Sequence, residues 1–184
     1  GFLPDIKRVL NHLPKQRQTL FFSATLPPPI QALSQQMLHN AVRIDTQRPS
    51  APAVGITQAV YPVAADLKSS LLVHLLKSGQ FETVLAFTRT KHRANRLADY
   101  LDRLGVPCAR IHGNRSQAQR TDALKAFKDR RIRVLVATDI AARGIDVEAL
   151  SHVVNFDVPN SPDDYIHRVG RTARAEATGE AFTF

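Results

Sequence analysis

Short apolar runs alternate with amphipathic stretches of helical length along most of the chain. Ile6, Val9, Leu10 and Leu13 recur at i, i+3, i+4 and i+7 and predict a short helix stopped by Pro14. The run 19–22 (Thr-Leu-Phe-Phe), ending at Ser23, predicts a buried strand. Pro27, Pro28 and Pro29 lead into a helix with Ile30, Leu33 and Met37 inward, and 42–44 predicts another short strand. Residues 48–55 hold two prolines and no periodicity, which reads as a linker.

Beyond the linker the pattern is more regular. Leu67, Leu71, Leu75 and Leu76 predict a helix capped by Asp66 and stopped by Gly79. A strand is expected at 83–87. A helix capped by Thr90 carries Ala94, Leu97, Ala98, Leu101 and Leu104 on one face and ends at Gly105. A strand follows at 108–111. Ser116 and Gln119 form a capping-box pattern opening a helix with Leu124 and Phe127 inward. Strands at 133–137 and 153–156, a helix opened by Ser161, Pro162 and Asp164, and a last strand at 180–184 complete the pattern. Continuous apolar strands separated by helices imply a parallel sheet covered on both faces. The expected fold is α/β, a doubly wound parallel sheet. Its expected divisions are 1–48, the last portion of a preceding α/β domain; 49–55, a linker; and 56–184, a second domain.

Composition narrows the function. The chain has 184 residues, too few for two complete nucleotide-binding domains, with 43% hydrophobic and 22% charged residues, as in ordinary globular proteins. A net charge of +9 calls for an acidic partner, RNA or DNA first. Cys108 is the single cysteine, which excludes an internal disulfide and a Cys-rich zinc site and fits a reducing, cytoplasmic compartment. No apolar run approaches the ~18 residues needed to span a bilayer, so no membrane role is expected. Gly1-Phe2-Leu3-Pro4-Asp5 lacks the pattern of a signal peptide and reads as an internal start.

The chemistry-bearing residues follow the predicted strands, where parallel sheets bind ligands. Ser23-Ala24-Thr25 follows the first. Thr88-Arg89-Thr90, 112–117 (His-Gly-Asn-Arg-Ser-Gln), Thr138-Asp139 and 143–146 (Arg-Gly-Ile-Asp) follow the others. Between Arg110 and Arg143 there are nine Lys or Arg against three Asp. Lys125, Lys128, Arg130 and Arg131 among them read better as a solvated helix face. Gly113 permits close approach of backbone to phosphate, beside a helix N-terminus that favours anions. The densest block is 167–174, with His167, Arg168, Arg171 and Arg174 within eight positions. Guanidinium groups bind phosphate bidentately, and arginines supplied across an interface speed phosphoryl transfer by ~10³ to 10⁵.

Together these strings resemble DEAD-box RNA helicases of bacterial type. Residues 21–27 resemble the Ser-Ala-Thr motif, 84–90 motif IV, and His112-Gly113-Asn114 with Gln117 and Arg120 motif IVa. Residues 137–146 resemble motif V and 167–174 motif VI, all in family order. The resemblance implies the carboxyl-terminal RecA-like domain of an ATP-dependent RNA helicase, preceded by the end of the first. It implies that Asp146 and Gly144 lie against ATP and that Arg171 and Arg174 are arginine fingers at its γ-phosphate. On the same resemblance His167 and Arg168 would couple to the first domain, and Ser23 and Thr25 would link hydrolysis to strand separation. Thr88, Arg89, Gly113, Gln117, Arg120, Thr138 and Asp139 would by the same resemblance lie along the RNA backbone. The partners implied are RNA, ATP with Mg²⁺, and a first RecA-like domain.

Two departures stand out. Ala173 occupies a position where the family usually has Gly, and φ < 0 is expected there. No glycine precedes a lysine and no Asp-Glu pair occurs, so the Walker loop and the Mg²⁺-binding acidic motif are missing, and this stretch alone is expected to be inactive. A stand-alone RNA-binding or docking module without catalysis and a DNA translocase of the same superfamily remain alternatives. Residues 1–48, with an apolar edge at Leu20-Phe21-Phe22, are expected to allow self-association. Ser23 and Thr25 are also candidates to cap the helix after Pro27.

Overall fold

The computed structural model describes residues 2–23, 25–45, 55–142, 150–172 and 178–184. The chain forms two compact units, Gly1–Pro49 and Ser50–Phe184.

The first unit holds two helices, α1 (Leu3–Leu10) and α2 (Pro28–Met37). Both begin with Pro in the first turn, where its missing N–H would be unpaired anyway. Leu33 is buried on α2. The strands expected at 19–22 and 42–44 do not form. A strand needs a neighbour for its N–H and C=O groups, and the described part of this unit supplies none. Leu20, Phe22, Val42 and Ile44 are therefore exposed. Pro27 is the N-cap of α2 and no side chain caps it, so Ser23 and Thr25 do not serve there.

The second unit is built on β1 (Ile56–Val60), β2 (Val84–Phe87), β3 (Cys108–Ile111), β4 (Val134–Ala137), β5 (His152–Asn155) and β6 (Gly179–Thr183). They form one all-parallel sheet in the order β1-β6-β5-β2-β4-β3. Between the strands run α3 (Lys68–Lys77), α4 (Lys91–Arg103), α5 (Gln117–Lys128), α6 (Asp139–Ala142) and α7 (Pro162–Val169).

Strand alternation sorts the apolar residues onto two faces. Val84, Ala86, Val134 and Val136 pack with Leu72 and Leu76 of α3 and Leu97 and Leu101 of α4. Leu85, Phe87, Leu135 and Ala137 pack on the other face with Ala123 and Phe127 of α5 and Ala141 and Ala142 of α6. The sheet is thus covered on both sides, as expected. Two details differ. β1 lies where the sequence shows only Thr57 and Gln58 between apolar residues, and among the described residues it is an edge strand bonded to β6 alone. Asp66 does not cap α3; Leu67 is the N-cap, its N–H already bonded to the Ala64 carbonyl in a turn.

Candidate functional site

The register of the sheet fixes the site. Phe87 and Ile111 both pair with Ala137, so Thr88, His112 and Thr138 leave β2, β3 and β4 at one level. Phe87 also pairs with Asn155, which brings the segment after β5 to the same edge.

Thr88 is fully buried. Its N–H donates to the Ala137 carbonyl at 2.9 Å and its hydroxyl faces the Thr90 carbonyl at 3.4 Å, so it supports the loop from beneath. Arg89 and Thr90 are exposed. The Arg89 N–H donates to Asp157 Oδ2 at 2.9 Å and its Nη2 to the Val158 carbonyl at 3.3 Å. Thr90 caps α4 as expected, its hydroxyl oxygen accepting the Arg93 N–H at 3.2 Å.

After β3, His112 is buried. Its Nδ1 accepts the Asn114 N–H at 3.3 Å, which assigns the ring proton to Nε2 and makes Nε2 the donor to Asn95 Oδ1 at 2.9 Å. Burial, and then the charges of Arg115, Arg110, Lys91 and His92, hold its pKa below the ordinary 6.5, so the ring is neutral at pH 7. Gly113 is exposed beside it. A Cβ built there meets no atom within 4 Å, and the backbone is outside the left-handed region. The fold itself therefore does not demand glycine at 113.

The capping box of α5 forms. Ser116 accepts the Gln119 N–H at 3.3 Å, and the Gln119 side chain accepts the Ser116 N–H at 3.1 Å. Gln117 Oε1 accepts from Arg120 Nη1 at 3.3 Å, and Arg120 Nη2 reaches the Ala141 carbonyl at 3.3 Å, tying α5 to α6. Thr138 opens α6, its carbonyl accepting from the N–H groups of Ala141 and Ala142.

The most enclosed charged group among the described residues of this edge is Arg168, 2% exposed. Its Nε and Nη2 grip the Asp139 carboxylate at 2.6 and 2.8 Å. Its Nη1 donates to Asn155 Oδ1 at 3.2 Å and to the Asp157 carbonyl at 2.6 Å. The guanidinium carbon lies 5.1 Å from the centre of the Phe87 ring. The resemblance gives Asp139 and Arg168 separate roles; the structure pairs them within one unit. His167 and Arg171 lie beside Arg168, both half-buried. The backbone of Arg171 is held at both ends: its N–H donates to Arg168 O at 3.1 Å and its carbonyl accepts the Leu150 N–H at 3.3 Å. The Thr172 hydroxyl donates to the Leu150 carbonyl.

Gly144, Asp146, Ala173 and Arg174 lie outside the described residues. Ser23 donates to the Thr25 carbonyl at 2.6 Å within the first unit. The sheet edge thus brings Thr88, Arg89, Gly113, Gln117, Arg120, Thr138, Asp139, Arg168 and Arg171 onto neighbouring segments. Sequence reasoning missed Asn155, Asp157 and Arg93. The available signal was a lone acid, Asp157, directly after an apolar strand. Among the described residues no three His, Cys, Asp or Glu stand together to hold a metal ion, so Mg²⁺ has no assigned ligand here. No described helix is long and apolar enough to cross a membrane.

A parallel sheet of this order, with basic and small residues gathered at its carboxyl edge, is the RecA-like architecture. Residues 67–176 match the family described as the helicase conserved C-terminal domain, and the chain belongs to that family. It resembles DEAD-box ATP-dependent RNA helicases over its whole length. The helicase CshA of Geobacillus kaustophilus is 41% identical over all 184 residues, which cover 39% of that protein. DbpA of Bacillus subtilis is 42% identical over the same span, 38% of its length. The chain therefore spans about two fifths of these curated relatives. Among solved structures, S. cerevisiae Dbp5 bound to RNA and ADP BeF3 matches all of this chain and 49% of its own, at 30% identity and a TM-score of 0.86. E. coli SrmB, solved bound to the regulator of ribonuclease activity A, is 43% identical over 70% of this chain and 74% of its own, with a TM-score of 0.61.

Proposed function

We propose that the chain is the C-terminal part of a DEAD-box helicase that couples ATP hydrolysis to local unwinding of RNA. In this reading residues 1–48 close a first RecA-like domain, 49–55 link, and 56–184 form the second. The observation that carries it is the open space over Gly113. The fold leaves that position uncovered and does not need glycine there, so a ligand backbone is the best reason for it. The first turn of α5 beside it leaves the N–H groups of Gln117 and Ala118 for an anion. Contacts of Arg89, Gly113, Gln117, Arg120 and Thr138 with phosphate and sugar would make binding largely independent of sequence. The whole-chain match to a protein solved with RNA and ADP BeF3 supports RNA and a nucleotide as the ligands.

On the nucleotide side, Gly144 and Asp146 would meet the ribose end of ATP, and Arg171 and Arg174 would meet the phosphates. A finger of this kind contributes roughly 4 to 7 kcal/mol to the transition state. Holding Arg171 by backbone bonds on both sides suits that task. The Mg²⁺ that accompanies ATP finds no cluster of ligands among the described residues, and a first RecA-like domain is the expected source. Ser23 and Thr25 would relay hydrolysis to strand separation, and His167 would face the first domain. Exposed Leu20 and Phe22 make self-association of the isolated chain the expectation, checked by gel-filtration mass. A cytoplasmic site of action completes the proposal.

RNA binding by the 184-residue chain tests the reading. Weak affinity is expected, falling with salt at a log–log slope of about −0.7 per phosphate contacted. Gly113→Ala is expected to keep or slightly raise stability, by up to about 1 kcal/mol, while weakening RNA binding about tenfold. Salt-independent affinity, or unchanged RNA binding by Gly113→Ala, refutes the backbone contact. RNA-stimulated ATP turnover by this chain alone refutes the division of labour between two domains.

A further inference from the structure

We infer that Asp157 is a positioning residue that sets the Arg89 loop and the Arg168–Arg171 segment from a single point. The inference rests on the RNA-helicase reading above. Asp157 is 4% exposed and each of its polar groups is occupied. Its N–H donates to the Phe87 carbonyl at 3.1 Å, at the end of β2. Its Oδ2 accepts the Arg89 N–H at 2.9 Å, and its Oδ1 pairs with Arg93 Nη2 of α4 at 2.9 Å. Its carbonyl accepts from Arg168 Nη1 of α7 at 2.6 Å. One residue thus bonds to the end of a central strand, the loop that would meet RNA, the helix behind that loop, and the helix leading into Arg171.

The geometry makes these contacts interdependent. Arg168 is a planar fork held at four acceptors, so it transmits a shift of the Asp157 carbonyl instead of absorbing it by rotating. The carboxylate is buried with two donors, so losing its charge leaves one of them without an acceptor and turns residue 157 as well. The loop and the finger segment therefore move together. A residue that merely stabilised the fold would change the amount of active protein and leave its response to RNA unaltered.

Two substitutions separate these outcomes in the full-length protein. Asp157→Asn keeps the shape and one acceptor but loses the charge that faces Arg93. Arg93→Gln removes the partner from a helix position with 42% of its side chain exposed, at a residue assigned to neither RNA nor nucleotide. ATP turnover is measured against RNA concentration. Both variants are expected to raise the half-saturating RNA concentration about fivefold and to lower kcat at saturating RNA by a similar factor, with Arg93→Lys close to wild type. Half-saturation does not depend on the fraction of molecules folded. If it is unchanged in both variants, or if kcat is unchanged, the inference is overturned. Absence of RNA stimulation in the wild type overturns the helicase reading instead. In that case amide exchange decides the joint: faster exchange in Asp157→Asn at both 88–90 and 162–171 supports it, and a rise at only one segment sinks it.

Discussion

Replacing Arg168 with Met is the sharpest probe of the site edge. Met fills much of the space of the arginine stem, so the change removes four N–H bonds and a charge without opening a large cavity. Asp139 has 27% of its side chain exposed and can turn to water, so the 3 to 5 kcal/mol typical of breaking a wholly buried pair is an upper limit, at about 5. Asn155 and Asp157 are 0% and 4% exposed, and their orphaned acceptors cost about 1 kcal/mol or more each. With about 1 kcal/mol for the partly exposed Asp139 pair, the sum is about 3 kcal/mol, a fall in Tm of about 6 to 12 °C for a chain of this size. Arg168→Lys keeps the charge but not the fork and should lose about half as much. Urea and thermal unfolding of the 184-residue chain measure both. A double-mutant cycle with Asp139→Asn should show a coupling of about 1 to 3 kcal/mol. A Tm within about 2 °C of wild type for Arg168→Met, or strictly additive effects in the cycle, would refute the reasoning.

Two further outcomes follow from buried titratable groups. The pKa of His112 is depressed on folding, so the unfolded chain binds more protons in that range; its contribution to stability is complete above pH 6.5 and is lost as pH falls from there through the lower folded value. Urea midpoints from pH 8 to 5 should be level at the top and decline below 6.5, with His112→Gln removing that part of the decline; a flat profile for the wild type excludes it. The Cys108 thiol is pushed up to about 12, first by burial and then by its hydrogen bond to Asp102. At pH 8 a disulfide reagent should therefore label the native chain about a thousandfold more slowly than the urea-unfolded one, and equal rates would contradict the burial.

What the sequence could tell divides along physical lines. The central strands were legible because both faces of Val84–Phe87 and Val134–Ala137 are apolar, a pattern that only a covered parallel sheet explains. The caps at Thr90, Ser116 and Ser161 were legible because capping is local chemistry. The runs 19–22 and 42–44 misled because an apolar pattern announces a strand without saying whether a partner is present. β1 was missed because an edge strand needs few apolar residues once β6 supplies its bonds. At the site, Arg89, Gly113 and Arg171 stood out by residue type and position. That Arg168 turns inward to Asp139, and that Asp157 bonds to four segments, depends on the register of β2 against β5, residues far apart in the chain.

That same register carries a consequence for how the second unit is made. Ile56 opens the strand paired with Gly179, so the first and last of the described strands are neighbours in the finished sheet. Among the described residues the earlier of them bonds to nothing else, so its pairing waits until β6 has been synthesised. Its polar Thr57 and Gln58 are what let such a waiting segment stay in water without sticking to itself.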